Sequence, residues 1–171
     1  MKPFVFIVLV AAQFLLEAKT MNTWEKYKKP EVKVLKEKLE KLVFKVTQKE
    51  GTERAFSNSL WDHKEKGIYV DILSGEPLFC SCHKYKSGTG WPSFYEIIDS
   101  KLIVLREDRM LWRKRIEVRS KFGDNHLGHV FKDGPQPTGK RYCMNSAALK
   151  FIPFDEMAKQ GYAKYLELFK K

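Results

Sequence analysis

The sequence predicts a mainly β fold, antiparallel strands with helices near the two ends of the chain, and three observations predict it. Short apolar runs recur from about residue 43 onward, clusters of Gly, Pro and Asp separate them, and the segments before and after carry apolar residues at helical spacing. With 171 residues, 43% of them hydrophobic and 13% aromatic, the chain is long and apolar enough for one domain with its own core.

Residues 1–18 stand apart from the rest. Lys2 precedes an uncharged stretch from Pro3 to Leu16, then come Glu17, Ala18 and Lys-rich sequence. This is the layout of a signal peptide ending at residue 18, and its apolar stretch is shorter than the ~20 residues that span a bilayer. An uncleaved membrane anchor is the alternative. No Cys follows the stretch to carry a lipid. The expectation is an exported protein, periplasmic or extracellular, with no stable membrane span after cleavage.

Residues 19–43 are expected to be a basic N-terminal segment preceding a domain over 44–171. Between Lys26 and Lys41, lysines interleave with Glu31, Glu37 and Glu40, while Val32, Leu35, Leu39 and Leu42 recur at helical spacing. That predicts one amphipathic helix with a wet, basic face. Strands are expected over 43–47, 67–73, 102–105 and 115–119, at Val130 and Phe131, and over 141–151. Two loops stand out, KSGTGWPS (86–93) and KDGPQPTGK (132–140). In the tail, Met157, Tyr165, Leu168 and Phe169 fall at helix-like intervals interrupted by Gly161.

The formal charge of +11 is spread along the chain and forms no single stripe. Arg113, Lys114 and Arg115 make the only other dense cluster, which argues against a nucleic-acid partner. Attraction to acidic proteins or envelope surfaces is permitted by the charge. Three cysteines leave at least one thiol unpaired in a monomer, the state expected here, and a free thiol in an oxidising compartment needs a reason.

That reason is sought around Cys143. If RYCMN (141–145) is a strand, alternation places Arg141, Cys143 and Asn145 on one face. Arg141 would then favour the thiolate and lower the thiol pKa, as a nucleophile requires. A half-buried cysteine beside an unrelated arginine is the bland alternative. His126 and His129 lie three residues apart with Asp133 beyond, and imidazoles donate protons near neutral pH. A metal site, surface histidines, and the base of a cysteine peptidase compete with that reading. A metal would need more donors, and Asn145 is placed to touch a substrate instead of standing behind a histidine. In the 86–93 loop and just after it, Trp91 and Phe94 offer apolar faces for a methyl group or thioether, unless they are simply core.

Taken in order, VTQKEGTERAF (46–56), GIYVDILSGEPLF (67–79), KSGTGWPSF (86–94) and HLGHVFKDGPQPTGKRYCMNSAAL (126–149) resemble the methionine sulfoxide reductase B family, over roughly residues 44 to 169. The resemblance implies two packed antiparallel sheets with peripheral helices. It implies reduction of the R epimer of methionine sulfoxide, protein-bound and also free, with Cys143 as nucleophile. His126, His129, Asp133 and Arg141 would bind and protonate the sulfoxide oxygen, Asn145 would position substrate or water, and Trp91 would receive the methyl group. Attack would leave a sulfenic acid on Cys143, recycled by a thioredoxin-like thiol reductant. No other cofactor is implied.

Two departures accompany the resemblance. Many members hold a structural zinc with two Cys-x-x-Cys pairs, whose places are taken here by Asp71 and Ser74, and by Ser120 and Gly123. A zinc-free member is therefore expected. Thr89 stands where many members carry the resolving cysteine, and Cys80 and Cys82 are the candidate substitutes. A bond between these two would be strained at such close spacing, yet it stays open as an exchange partner. The alternative from another class is a non-catalytic module using the same fold to bind oxidised methionine or acidic partners. Consumption of thiol reductant with methionine sulfoxide separates the two.

Overall fold

The structure, a computed structural model, describes residues 23–108 and 114–170. The expected signal peptide and Arg113 of the expected basic cluster lie outside the described residues. Among the described residues, nine strands form two antiparallel sheets: β1 (Gly67–Asp71), β2 (Pro77–Cys80), β3 (Lys84–Tyr85), β4 (Ser93–Phe94), β5 (Ile103–Asp108), β6 (Arg115–Ser120), β7 (His126–Phe131), β8 (Arg141–Met144) and β9 (Leu149–Pro153). The smaller sheet has the order β2-β1-β9 and the larger β3-β4-β8-β7-β6-β5. This is the expected fold class.

The core lies between the sheets. Tyr69 and Phe79 of the smaller sheet meet Phe94 of the larger, with ring centroids 5.0 and 4.4 Å apart, and Val118, Tyr142 and Met144 close the same layer. The other face of the smaller sheet is also covered. Ile68, Val70 and Ile152 pack there against Trp24, Met157, Tyr162 and Tyr165, with Trp24 stacked on Tyr162 at 5.4 Å. A strand covered on both faces has no wet side, so every residue of β1 is buried and its sequence lacks alternation. Only the outer face of the larger sheet is left for chemistry.

Three expected elements are redrawn. The single helix from Lys26 to Lys41 is instead a 3-10 turn (Thr23–Lys26), α1 (Val32–Lys38) and α2 (Lys41–Lys49), separated where Leu39 and Glu40 adopt extended backbone. The strand expected over 43–47 lies within α2, which also straddles the expected boundary at 43/44. A short apolar run has no decisive period, and tertiary contact settles it: Val46 is fully buried and Gln48 Nε2 donates to Asn125 Oδ1 at 2.7 Å. The strand expected over 141–151 divides into β8 and β9, which belong to different sheets. Glu53 causes the break, its carboxylate accepting from the backbone N–H groups of Ser146 (2.5 Å) and Ala147 (2.9 Å). The tail holds α3 (Phe154–Met157) and a 3-10 segment (Ala163–Phe169) on either side of Gly161.

Candidate active site on the six-stranded sheet

Antiparallel register lines up one residue from each strand. Ser93 of β4 and His129 of β7 lie opposite Cys143 of β8; Tyr85 of β3 lies opposite Ser93, Glu117 of β6 opposite His129, and Arg106 of β5 opposite Glu117. Paired residues share a face. A thiol, a hydroxyl, an imidazole, a carboxylate and a guanidinium therefore stand in one row on the outer face. The next row holds Arg141 opposite Phe131 and Arg115 opposite Asp108.

Cys143 is half-buried and is the free cysteine, since Cys80 and Cys82 form a disulfide with each other. Thr89 Oγ1 lies 3.8 Å from its sulfur, and Ser87 Oγ bridges Thr89 and Ser93 at 2.8 Å each. Burial pushes the Cys143 thiol up, against the downward pull of Thr89, Arg141 and Ser93. The expectation of a net lowering by Arg141 is thus corrected: the guanidinium acts in that direction and desolvation outweighs it. Arg141 is held in place by stacking 4.4 Å over Phe131 and by a two-bond pairing with Asp133 at 2.9 and 2.8 Å. Asp133 therefore orients the arginine and not a histidine, and that pairing holds its own carboxyl below the usual range.

On a regular strand, residues three apart face opposite sides. His126 and His129 nevertheless share the outer face, with ring centroids 5.4 Å apart, because a bulge shifts the β6–β7 register between Val118 and Arg119. Gly128 sits in that bulge, where a Cβ would overlap the Cys143 carbonyl oxygen. His126 is almost wholly buried, and one ring nitrogen, Nδ1, lies 2.7 Å from Glu117 Oε1, which also accepts from Arg119 at 2.8 Å. Its other nitrogen, Nε2, is buried with no hydrogen-bond partner among the described residues. His126 thus backs His129 instead of meeting solvent. His129 Nε2 lies 2.8 Å from Asp108 Oδ2, which also accepts from Arg115 at 2.7 Å. Burial holds the His129 imidazole below its usual pKa, despite the pull of Asp108.

Two expected contacts are corrected. Asn145 is buried, its side chain donating to the Leu127 carbonyl at 3.0 Å and accepting from the Glu53 N–H at 3.1 Å, so in this structure it fixes backbone. Phe94 is fully buried in the core, because pairing opposite Tyr142 turns it to the inner face. Trp91 stays half-buried beside the thiol-bearing row, its Nε1 donating to the Glu53 carbonyl at 3.2 Å. Glu53, Asp108 and Glu117 are site-building residues that sequence reasoning missed. The apolar alternation of Ile116 and Val118 marks Glu117 as outward-facing, yet only the strand register sets it beside the histidines.

The four positions at which the family resemblance implied zinc ligands in other members do converge. A Cβ on Gly123 would come 2.8 Å from both Asp71 Oδ1 and Ser120 Oγ. Their polar atoms are already engaged: the Asp71 carboxylate accepts from Asn125 Nδ2 (3.0 and 2.9 Å) and from the N–H groups of Leu73 and Ser74 (both 2.8 Å), and Ser120 Oγ accepts from Asn125 N–H at 3.0 Å. One carboxylate, two hydroxyls and a glycine, hydrogen-bonded in this way, do not fit a tetrahedral zinc. As for the candidate resolving thiols, each is bonded to the other, and Tyr85, three residues beyond Cys82, is already two strands from Cys143. Neither is a free thiol in this state.

A family model described as the SelR domain matches residues 39–153. The chain is also similar to the peptide methionine sulfoxide reductase MsrA/MsrB of Vibrio cholerae serotype O1 (strain ATCC 39315 / El Tor Inaba N16961), with 60% identity over 144 residues. That match covers 84% of this chain and 38% of the relative, so the chain spans well under half the length of that relative.

Proposed function

The chain belongs to the SelR domain family, and from that premise we propose that it is a methionine sulfoxide reductase of the B type, acting through Cys143 on the R epimer of methionine sulfoxide in oxidised proteins and as the free amino acid. The observation that carries this reading is the register row that sets the free thiol of Cys143 directly opposite His129, with Arg141 on the same strand face and Thr89 3.8 Å from the sulfur. A sulfoxide sulfur becomes electrophilic when its oxygen accepts hydrogen bonds or a proton. Arg141 and the Thr89 hydroxyl are the groups beside the thiol that supply the hydrogen bonds, and His129, which bonds Asp108 through Nε2, supplies a proton from its other nitrogen when the ring is protonated. The Cys143 sulfur attacks, the S–O bond to the substrate breaks, and oxygen passes to Cys143 as a sulfenic acid while methionine leaves. One external thiol then displaces water to give a mixed disulfide, and a second releases the Cys143 thiol.

With Cys80 and Cys82 bonded to each other, the reading favours direct reduction of that sulfenic acid by a thioredoxin-like donor over internal resolution. The same disulfide supports an oxidising compartment outside the cytoplasm. No zinc takes part, because the Asp71–Ser74–Ser120–Gly123 cluster is closed by its own hydrogen bonds. The test is a dithiothreitol-driven assay on separated R and S epimers. Turnover of R alone, abolished in Cys143→Ser without change in melting temperature, is the expected result; turnover retained in that variant overturns the reading. Elemental analysis is expected to find no stoichiometric zinc, and a chelator to leave the melting temperature unchanged.

A further inference from the structure

A cavity of about 460 Å³ lies against the 86–91 loop, with walls formed by Phe56, Trp61, Trp91 and Tyr85. Phe56 is 56% exposed, its ring edge-on to Trp61 at 5.4 Å. Its backbone has φ 59°, a region that bulky residues rarely occupy. The N–H of Phe56 donates to the Gly90 carbonyl at 2.9 Å, and the ring lies so close to Gly90 that a Cβ there would come within 2.7 Å of it. The chain thus holds an unfavourable conformation and presents a large apolar ring to water. Burial of Phe56 does not account for this, whereas a ligand surface does.

The charge around the cavity is predominantly positive. Lys64, Lys84 and Lys86 line it, and Asp62 is the one carboxylate among the lining residues. The cavity is also continuous with the site already described. Trp91 and the Ser87–Gly88 turn form its wall, and Ser87 connects through Thr89 to Cys143. Tyr85 lines the cavity and is two strand spacings from Cys143, roughly 10 Å, a distance that about three residues of extended chain cover.

We propose that this cavity is a subsite for the polypeptide that carries the methionine sulfoxide, taking a large apolar side chain, aromatic by preference, two or three residues from the oxidised methionine in an acidic segment. The inference rests on the reductase reading of Cys143. Four aromatic rings match an apolar side chain, and the lysines favour carboxylates beside it. Free methionine sulfoxide is too short to use it.

The test employs acetylated peptides with one central methionine, alanine elsewhere, and Phe placed in turn at each position from three before to three after, with and without a neighbouring Glu. Affinity of the unoxidised peptides is read by fluorescence anisotropy, which needs no turnover, and KM and kcat are read on the oxidised ones. At one or two of these positions Phe is expected to lower both Kd and KM by about tenfold relative to Ala. Trp61→Ala removes that gain while leaving kcat on free methionine sulfoxide unchanged, and Lys64→Glu with Lys86→Glu reverses the effect of Glu. Should Trp61→Ala fold poorly, Phe56→Ala, whose ring is largely exposed, removes the same wall. Equal affinity for Phe and Ala peptides at every position, or a gain that survives in the folded variants, overturns the proposal. Absence of turnover on free R-methionine sulfoxide by the unaltered protein would instead overturn the reductase reading, and the binding data would be unaffected by it.

Discussion

At Cys143 two opposing effects act on the same proton. Burial favours the neutral thiol, while Thr89, Arg141 and Ser93 favour the thiolate, and burial prevails. Removing Arg141 takes away one of the thiolate's supports, so Arg141→Ala is expected to raise the thiol pKa further. The alkylation rate of Cys143 by iodoacetamide, measured against pH, should rise at higher pH in the variant, and turnover near neutrality should fall. A profile that stays in place would show that the guanidinium does not act on the sulfur. Thr89 leads to a second expectation at this scale. Its Oγ1 is 3.8 Å from the sulfur, so a thiol introduced by Thr89→Cys should bond to Cys143 after one turnover without reductant, as peptide mapping by mass spectrometry would show. The unaltered chain should yield a sulfenic acid and no Cys143-linked disulfide. That Cys143 and Arg141 share a strand face was legible in the alternation of RYCMN. Glu117 and Asp108 were not, because they reach the histidines only through pairing between strands distant in sequence.

Among the elements, the bulge between β6 and β7 decides whether the site exists. Strict alternation along HLGHVF would send His126 and His129 to opposite faces, and sequence reasoning had no means of seeing that one extra residue brings them together. Gly128 is what permits the bulge, since any Cβ there overlaps the Cys143 carbonyl oxygen. Gly128→Ala is expected to cost about 2–3 kcal/mol in urea denaturation, the range typical of a serious backbone clash. Catalysis should suffer more than stability, because β7 and β8 would separate between His129 and Cys143. A variant with unaltered kcat would mean that the two histidines need not share a face. The same limit explains α2. Val43, Val46 and Thr47 read equally well as a short strand or as one side of a helix, and the choice is made by Gln48 reaching Asn125.

Over the whole molecule, the sheets are joined at the turn after β1 and the turn after β6, and carboxylates hold that junction. Two packed sheets were foreseen from the family resemblance. The division of 141–151 between them was not, since it depends on Glu53 capturing two backbone N–H groups from across the molecule. At the junction, Glu76 is fully buried and accepts from the N–H groups of Phe122 and Gly123, with its nearest oxygen distances at 2.9 and 3.0 Å. Burial, aided by the Asp71 charge, pushes its carboxyl up to about 7 from an ordinary value of 4.5, although those N–H groups pull it down. Between these two values the folded protein holds a proton on Glu76 that the unfolded chain has released. Its contribution to stability is therefore complete below about pH 4.5, declines as pH rises, and is lost above about pH 7. Glu76→Gln keeps an oxygen to accept from the same backbone and cannot ionise. The melting temperature of the variant minus that of the unaltered protein should be small at pH 4.5, climb through the interval and level off near pH 8, with other titrating groups cancelling in the difference. A difference that is flat across the interval, or that falls as pH rises, would show that Glu76 is ionised throughout and that its bonds to Phe122 and Gly123 outweigh its burial.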